Sequence, residues 1–222
     1  FFSLQRLNRD YPGLLIIKKP DGKFLRDLSG EIFSVSQLAR AITDLPGYIT
    51  NGNTPEGILS IQGTDFSKNV FIGPSPNLQL VLPYEVSLQK YFHSEINDSI
   101  WNKKYYADLL PESWKDYFPI YESYYAGKAG RNEIIAHGTT IDPEFYRGKS
   151  YYPFTPSLGC LTTNESWSAN DGSIVESGQI KLMNALSSIE FENGFFVVVN
   201  IDDQHLQVTL DEIKDLILNA ER

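Results

Sequence analysis

Cys160 is the only cysteine among 222 residues, and it closes the string Pro156-Ser157-Leu158-Gly159-Cys160. Upstream, the apolar run Ile134-Ile135-Ala136 delivers His137, followed by Gly138-Thr139-Thr140. A thiolate attacks a carbonyl carbon far better than a thiol does, so a working cysteine needs a neighbour that takes or stabilises its proton. Imidazole suits that task near neutral pH. The two residues outline a thiol nucleophile, Cys160, and its base, His137. Gly159 permits a tight turn and lets a carbonyl approach the backbone closely. The N–H groups around Gly159 and Cys160 could then face a developing oxyanion. A single cysteine without such context is more often a small buried hydrophobe, so the surrounding sequence has to decide.

Other chemistries find less support. The histidine precedes the cysteine, which excludes the papain-like order. His93 and His205 have no ligand spacing to each other or to Cys160, so neither a metal nor a cofactor is expected. Gly127-Lys128-Ala129-Gly130-Arg131 is glycine-rich and basic, yet its Gly-Lys is not followed by Ser or Thr, as a phosphate-binding loop requires. Ser166 and Ser168 lack a Gly-x-Ser-x-Gly frame.

The elements that must hold the pair read as strand-rich. Leu14 to Ile17 and Phe24-Leu25 flank the turn Pro20-Asp21-Gly22-Lys23. Val35, Leu38, Ala39 and Ile42 share one face of a helix expected over 34–45, stopped by Pro46-Gly47. Tyr48 to Thr50, Ile58 to Ile61, Val70 to Ile72 and Leu78 to Leu82 read as strands broken by Gly and Pro. The Tyr-, Trp- and Lys-rich stretch from Glu85 to Tyr125 has helical spacing. Residues 132–136 return to strand. Residues 138–157 form a long irregular loop, and loops of that length inside a domain are usually functional. A helix over 179–189, a central strand over 194–201 and a last helix opened by the capping box Thr209-x-x-Glu212 complete the chain. The expected fold is α+β and β-rich: a sandwich or barrel core with a helical insertion at about 85–128 and a C-terminal helix, one domain over 1–222.

Composition narrows the partners. The net charge is −9, which argues against nucleic acid. The 13 Tyr, 13 Phe and 3 Trp suit strands and grooves that take extended ligands. No apolar stretch is long enough to span a bilayer. Phe1 is no initiator methionine, so the chain reads as processed or trimmed, and the absence of a signal peptide says nothing about export.

His137-Gly138-Thr139, a loop, and then Ser157-x-Gly159-Cys160 together resemble the catalytic signature of YkuD-type L,D-transpeptidases, which cross-link bacterial peptidoglycan. Thr54-Pro55-Glu56-Gly57 resembles the Thr-Pro-x-Gly segment that precedes a core strand in that family. The resemblance covers roughly 48–82 and 132–163, with 195–200 as a closing strand. It implies Cys160 as the acylated nucleophile, His137 as base, Gly138 as the signature glycine, and Ser157 and Gly159 as the shapers of the nucleophile turn. It also implies peptidoglycan stem peptides as substrate and an exported chain, in the periplasm or cell envelope. A carboxypeptidase on the same fold, in which water resolves the thioester, and a non-catalytic wall-binding module are the alternatives. Sortases also place His before Cys but need a later arginine, and only Arg222 follows.

Two family positions differ. Leu158 stands where a basic residue is common, and Thr162 where an arginine is common. Arg147 or Lys149, in the long loop, is the expected substitute for the missing cation, with Tyr152 and Trp167 lining the groove.

Overall fold

A computed structural model describes residues 1–221; Arg222, on which the comparison with sortases turned, lies outside the described residues. Ten strands form, β1 (Phe2–Arg6), β2 (Gly13–Ile16), β3 (Ser34–Gln37), β4 (Gly57–Asp65), β5 (Asn77–Val81), β6 (Ile134–His137), β7 (Leu161–Thr162), β8 (Glu165–Trp167), β9 (Ile174–Ser177) and β10 (Gly194–Asp202). The helices are α1 (Leu88–Phe92), α2 (Lys103–Ala107), α3 (Glu122–Lys128), α4 (Gly178–Ser188) and α5 (Leu210–Ala220). Eight strands make one sheet in the order β3-β2-β1-β10-β4-β5-β6-β7, and β8 pairs with β9 separately. The β1–β10 and β6–β7 pairs are parallel and the rest antiparallel.

The sheet nearly closes on itself. Leu38, the residue after β3, exchanges backbone hydrogen bonds of 2.8 and 2.9 Å with Thr162 of β7. The expected mixed, strand-rich architecture with a barrel-like core is therefore present. The helix expected over 34–45 is not. Ser34 to Ala41 runs extended because partners on both sides, β2 and the Thr162 and Ser157 backbone, supply its hydrogen bonds. Ser-Val-Ser-Gln carries a period of two as well as helical spacing, and non-local pairing selected the former. Tyr48 to Thr50 and Val70 to Ile72 are turns rather than strands. Pro46 and Ile49 carbonyls take local bonds from Ile49 and Gly52, and the Asn69 side chain takes the Phe71 N–H. Strand β1, the β8–β9 hairpin and the two-residue β7 had no sequence signal of their own.

Alternation along the strands sorts side chains into an interior and an exterior. Inside lie Leu15, Ile17, Leu59, Ile61, Leu78, Leu80, Ala136, Leu161, Phe196 and Val198, plugged by Leu182, Ala185 and Leu186 of α4. Outside, different elements cover different strands. Ile213 and Ile217 of α5 pack on Leu14 and Ile16. Tyr106, Ile120, Tyr121 and Tyr124 of the helical segment pack on Ile58 and, across β10, on Phe195, Val197 and Val199. Gly57 makes the second contact possible: at φ +132° a Cβ would lie 2.2 Å from Ser123 Oγ and 2.5 Å from the Tyr106 hydroxyl. Over β5, β6 and β7 no helix lies among the described residues of these clusters, and the exterior opens into a cavity. No helix of the described residues is long and apolar enough to cross a membrane.

Candidate active site

Leu78, Leu80, Ile134, Ala136 and Leu161 point inward, so Gln79, Val81, Ile135, His137, Cys160 and Thr162 face out. Parallel register opposes His137 to Thr162 and Ala136 to Leu161, and two steps back from His137 the same register brings Cys160, just before β7, beside Ile135. His137 and Cys160 thereby share a face, and both line a cavity of about 700 Å³. Its rim includes the exposed apolar side chains Ile42, Phe71 and Leu158.

His137 is buried, and its Nδ1 hydrogen-bonds the Gly138 carbonyl. A carbonyl only accepts, so Nδ1 carries the proton and Nε2 holds the free lone pair. Burial lowers the affinity of the ring for a second proton, against a smaller opposing effect of that hydrogen bond. The imidazole is thus held neutral and in the tautomer of a base.

Cys160 is partly buried and its thiol donates to the Glu133 carbonyl at 3.6 Å. Burial pushes the thiol above its ordinary value. A hydrogen bond with the Ile135 backbone, the Arg131 charge and Ser157 pull it down, and Glu133 pushes it up. At rest the cavity is lined by a neutral thiol and a neutral imidazole.

The turn before the thiol is tied internally and from outside. Ser157 Oγ accepts the Gly159 N–H at 3.2 Å and donates to the Cys160 carbonyl at 2.9 Å. Thr54 Oγ1 donates to the Gly159 carbonyl at 2.9 Å. Gly159 itself has φ +114°, and a Cβ there would sit 2.2 Å from Arg131 Nη2 and 2.5 Å from the Gly52 carbonyl oxygen. Gly138 is required for a different reason: its Cβ would lie 2.0 Å from the buried Glu165 carboxylate, which Ser75 and Ser177 hold by their hydroxyls.

The residues expected to supply a cation, Arg147 and Lys149, lie outside the lining of the cavity. Arg147 is 69% exposed, pairs with Glu144 three residues back and lies over the Tyr152 ring at 5.5 Å. Tyr152 donates to the same Glu144 carboxylate. Arg147, Lys149 and Tyr152 are not among the residues lining the cavity. A turn over Pro143–Tyr146 places Glu144 under Arg147, so the loop satisfies its own charge. Trp167 is not in the lining either. Its Nε1 donates to the Thr139 carbonyl at 3.0 Å and steadies the segment after His137. The cation that does line the cavity is Arg131. Its only sequence signal was a basic residue just ahead of the histidine strand.

Thr162 has a structural task of its own. It is buried at the barrel seam, where its hydroxyl donates to the Thr155 carbonyl at 2.7 Å. Leu158 is 62% exposed at the rim. His93 hydrogen-bonds Ser60 at 2.8 Å, and His205 stacks on Tyr11. Among the described residues no three His, Cys, Asp or Glu side chains gather as a metal-binding group. No family model, no curated protein and no solved structure matches the chain.

Proposed function

We propose that this chain is an exported cysteine L,D-transpeptidase that acts on peptidoglycan stem peptides through a thioester on Cys160. One observation carries the reading: an outward-facing thiol and a neutral imidazole, its tautomer fixed by the Gly138 carbonyl, open on one cavity. The YkuD-like strings supply the substrate class.

In the acylation half-reaction the Cys160 proton passes to His137 Nε2 as sulfur attacks the carbonyl of the third stem residue. Ser157 occupies the Gly159 N–H, so the Cys160 N–H is the turn's donor toward the oxyanion. Collapse breaks the C–N bond, and the imidazolium returns its proton to the departing terminal D-amino acid. An amine of a second stem then attacks the thioester, gives its proton to His137, and releases the thiol. In the hydrolytic alternative, water takes the place of that amine, and no step before it differs.

The test is intact mass after incubation with a tetrapeptide stem, with and without an acceptor stem. The expected results are a covalent adduct short of the terminal residue, its absence in Cys160→Ala, and a cross-linked product when acceptor is present. Release of free tripeptide alone assigns the hydrolase. No adduct in the folded wild-type protein overturns the enzymatic reading.

A further inference from the structure

Arg131 follows the turn that ends α3, and it is buried (5% exposed). Its Nη1 donates to the carbonyls of Gly47 and Asn53, the latter at 2.8 Å, and its Nη2 donates to the Gly52 carbonyl at 2.8 Å. Three carbonyls of one loop therefore wrap one side of the guanidinium. The other side abuts the nucleophile turn, where only a glycine at 159 leaves room for it.

Few titratable groups face the thiol. Those that line the cavity with Cys160 are His137, Arg131, Glu133 and Glu85. Glu85 accepts the Glu133 N–H at 3.1 Å and the Leu82 N–H at 2.8 Å. The carboxylate of Glu122, the first residue of α3, takes the Glu56 N–H at 2.8 Å and lies 2.8 Å from where a Cβ on Gly47 would sit, beside the loop whose Gly47 carbonyl accepts from Arg131, and its charge acts on the guanidinium. Arginine keeps its charge, so a guanidinium locked in place is a permanent field at the sulfur.

We propose that Arg131 is a positioning residue whose fixed charge stabilises the Cys160 thiolate, and that Glu122 tempers that charge. It acts from behind the turn, in place of a basic residue at Leu158 or Thr162. This deepens the cysteine-enzyme reading and rests on Cys160 as nucleophile, but not on the stem-peptide substrate. Arg131 gives up no proton; the thiol proton still goes to His137.

The test is the pH dependence of Cys160 alkylation by iodoacetamide, a neutral probe. A C–S bond forms, the C–I bond breaks, iodide leaves, and the thiol proton passes to His137 or water. In Arg131→Gln the midpoint is expected to rise by about one unit, or about tenfold slower alkylation below it. Arg131→Lys should recover part of the shift. Glu122→Gln keeps an acceptor for the Glu56 N–H and should move the midpoint down. General loosening of the site would move both variants the same way, toward an ordinary thiol. An unchanged midpoint in folded Arg131→Gln, or an unchanged or raised one in Glu122→Gln, overturns the proposal. If Arg131→Gln does not fold, Arg131→Lys decides it: a raised midpoint supports the proposal, and an unchanged or lowered one, which loosening alone would give, overturns it. Opposite shifts without stem-peptide acylation would keep the arginine assignment and remove the transpeptidase reading; acylation without the shifts would do the reverse.

Discussion

The Thr54 hydroxyl donates to the Gly159 carbonyl at 2.9 Å across 105 residues of sequence. It fastens the segment leading into β4 to the turn that carries Cys160. Thr54→Val keeps the shape and removes the donor, leaving a buried carbonyl without that partner. The expected cost is about 1 kcal/mol, seen as about 2–4 °C in Tm for a chain of this size. Cys160 alkylation should change with it, because the turn is released, while Thr54→Ser should stay close to wild type. Equal melting and equal alkylation in Thr54→Val would show that the bond does not hold the turn.

Gly138 and Glu165 form a second coupled pair. Gly138→Ala drives a methyl into a carboxylate pinned by two serine hydroxyls, and overpacking of this kind costs about 1–3 kcal/mol. The displaced Gly138 carbonyl would also lose its hold on His137 Nδ1. Glu165→Ala makes room, so the double variant should melt higher than the two single losses added together. Strict additivity in chemical denaturation would refute the contact.

Arg147 gives the contrasting expectation. It is exposed and paired within its own loop. Arg147→Ala should change stability by less than about 0.5 kcal/mol and leave KM and alkylation as they are. A raised KM with an unchanged kcat would mean that the loop reaches the substrate.

His137 sets a pH dependence whose sign follows from its burial. Its folded affinity for a proton lies below the ordinary value of 6.5. Above pH of about 6.5 both folded and unfolded chains hold it neutral, and it contributes its full share. As pH falls below that, the unfolded chain takes the proton first, and stability drops by at most about 1.4 kcal/mol per pH unit until the folded value is reached. Glu56 and Glu85, pushed up by burial, act in the opposite sense, because their folded forms take protons first. Subtracting the curve of His137→Gln from that of wild type between pH 7 and 5 isolates the histidine. A flat difference would contradict its burial as a neutral ring.

What the sequence determined by itself was local. Asp21-Gly22, the apolar runs 14–17, 58–61, 78–82 and 194–199 and the helix N-cap at Thr209 are each written within a few residues. Each corresponds to an element or a turn because short-range hydrogen bonding and side-chain alternation govern it. Tertiary structure decided what depends on partners far along the chain. Ser34 to Ala41 became extended because β2 and the Thr162 and Ser157 backbone met it on either side. Thr162 is a seam residue because Leu38 and Thr155 need its backbone and hydroxyl. The site's cation is Arg131 rather than Arg147 because carbonyls 78 to 84 residues away surround the first, while Glu144, three residues away, already satisfies the second. A charge with a local partner spends itself locally. One whose partners are brought by the fold takes its role from where the fold sets it down.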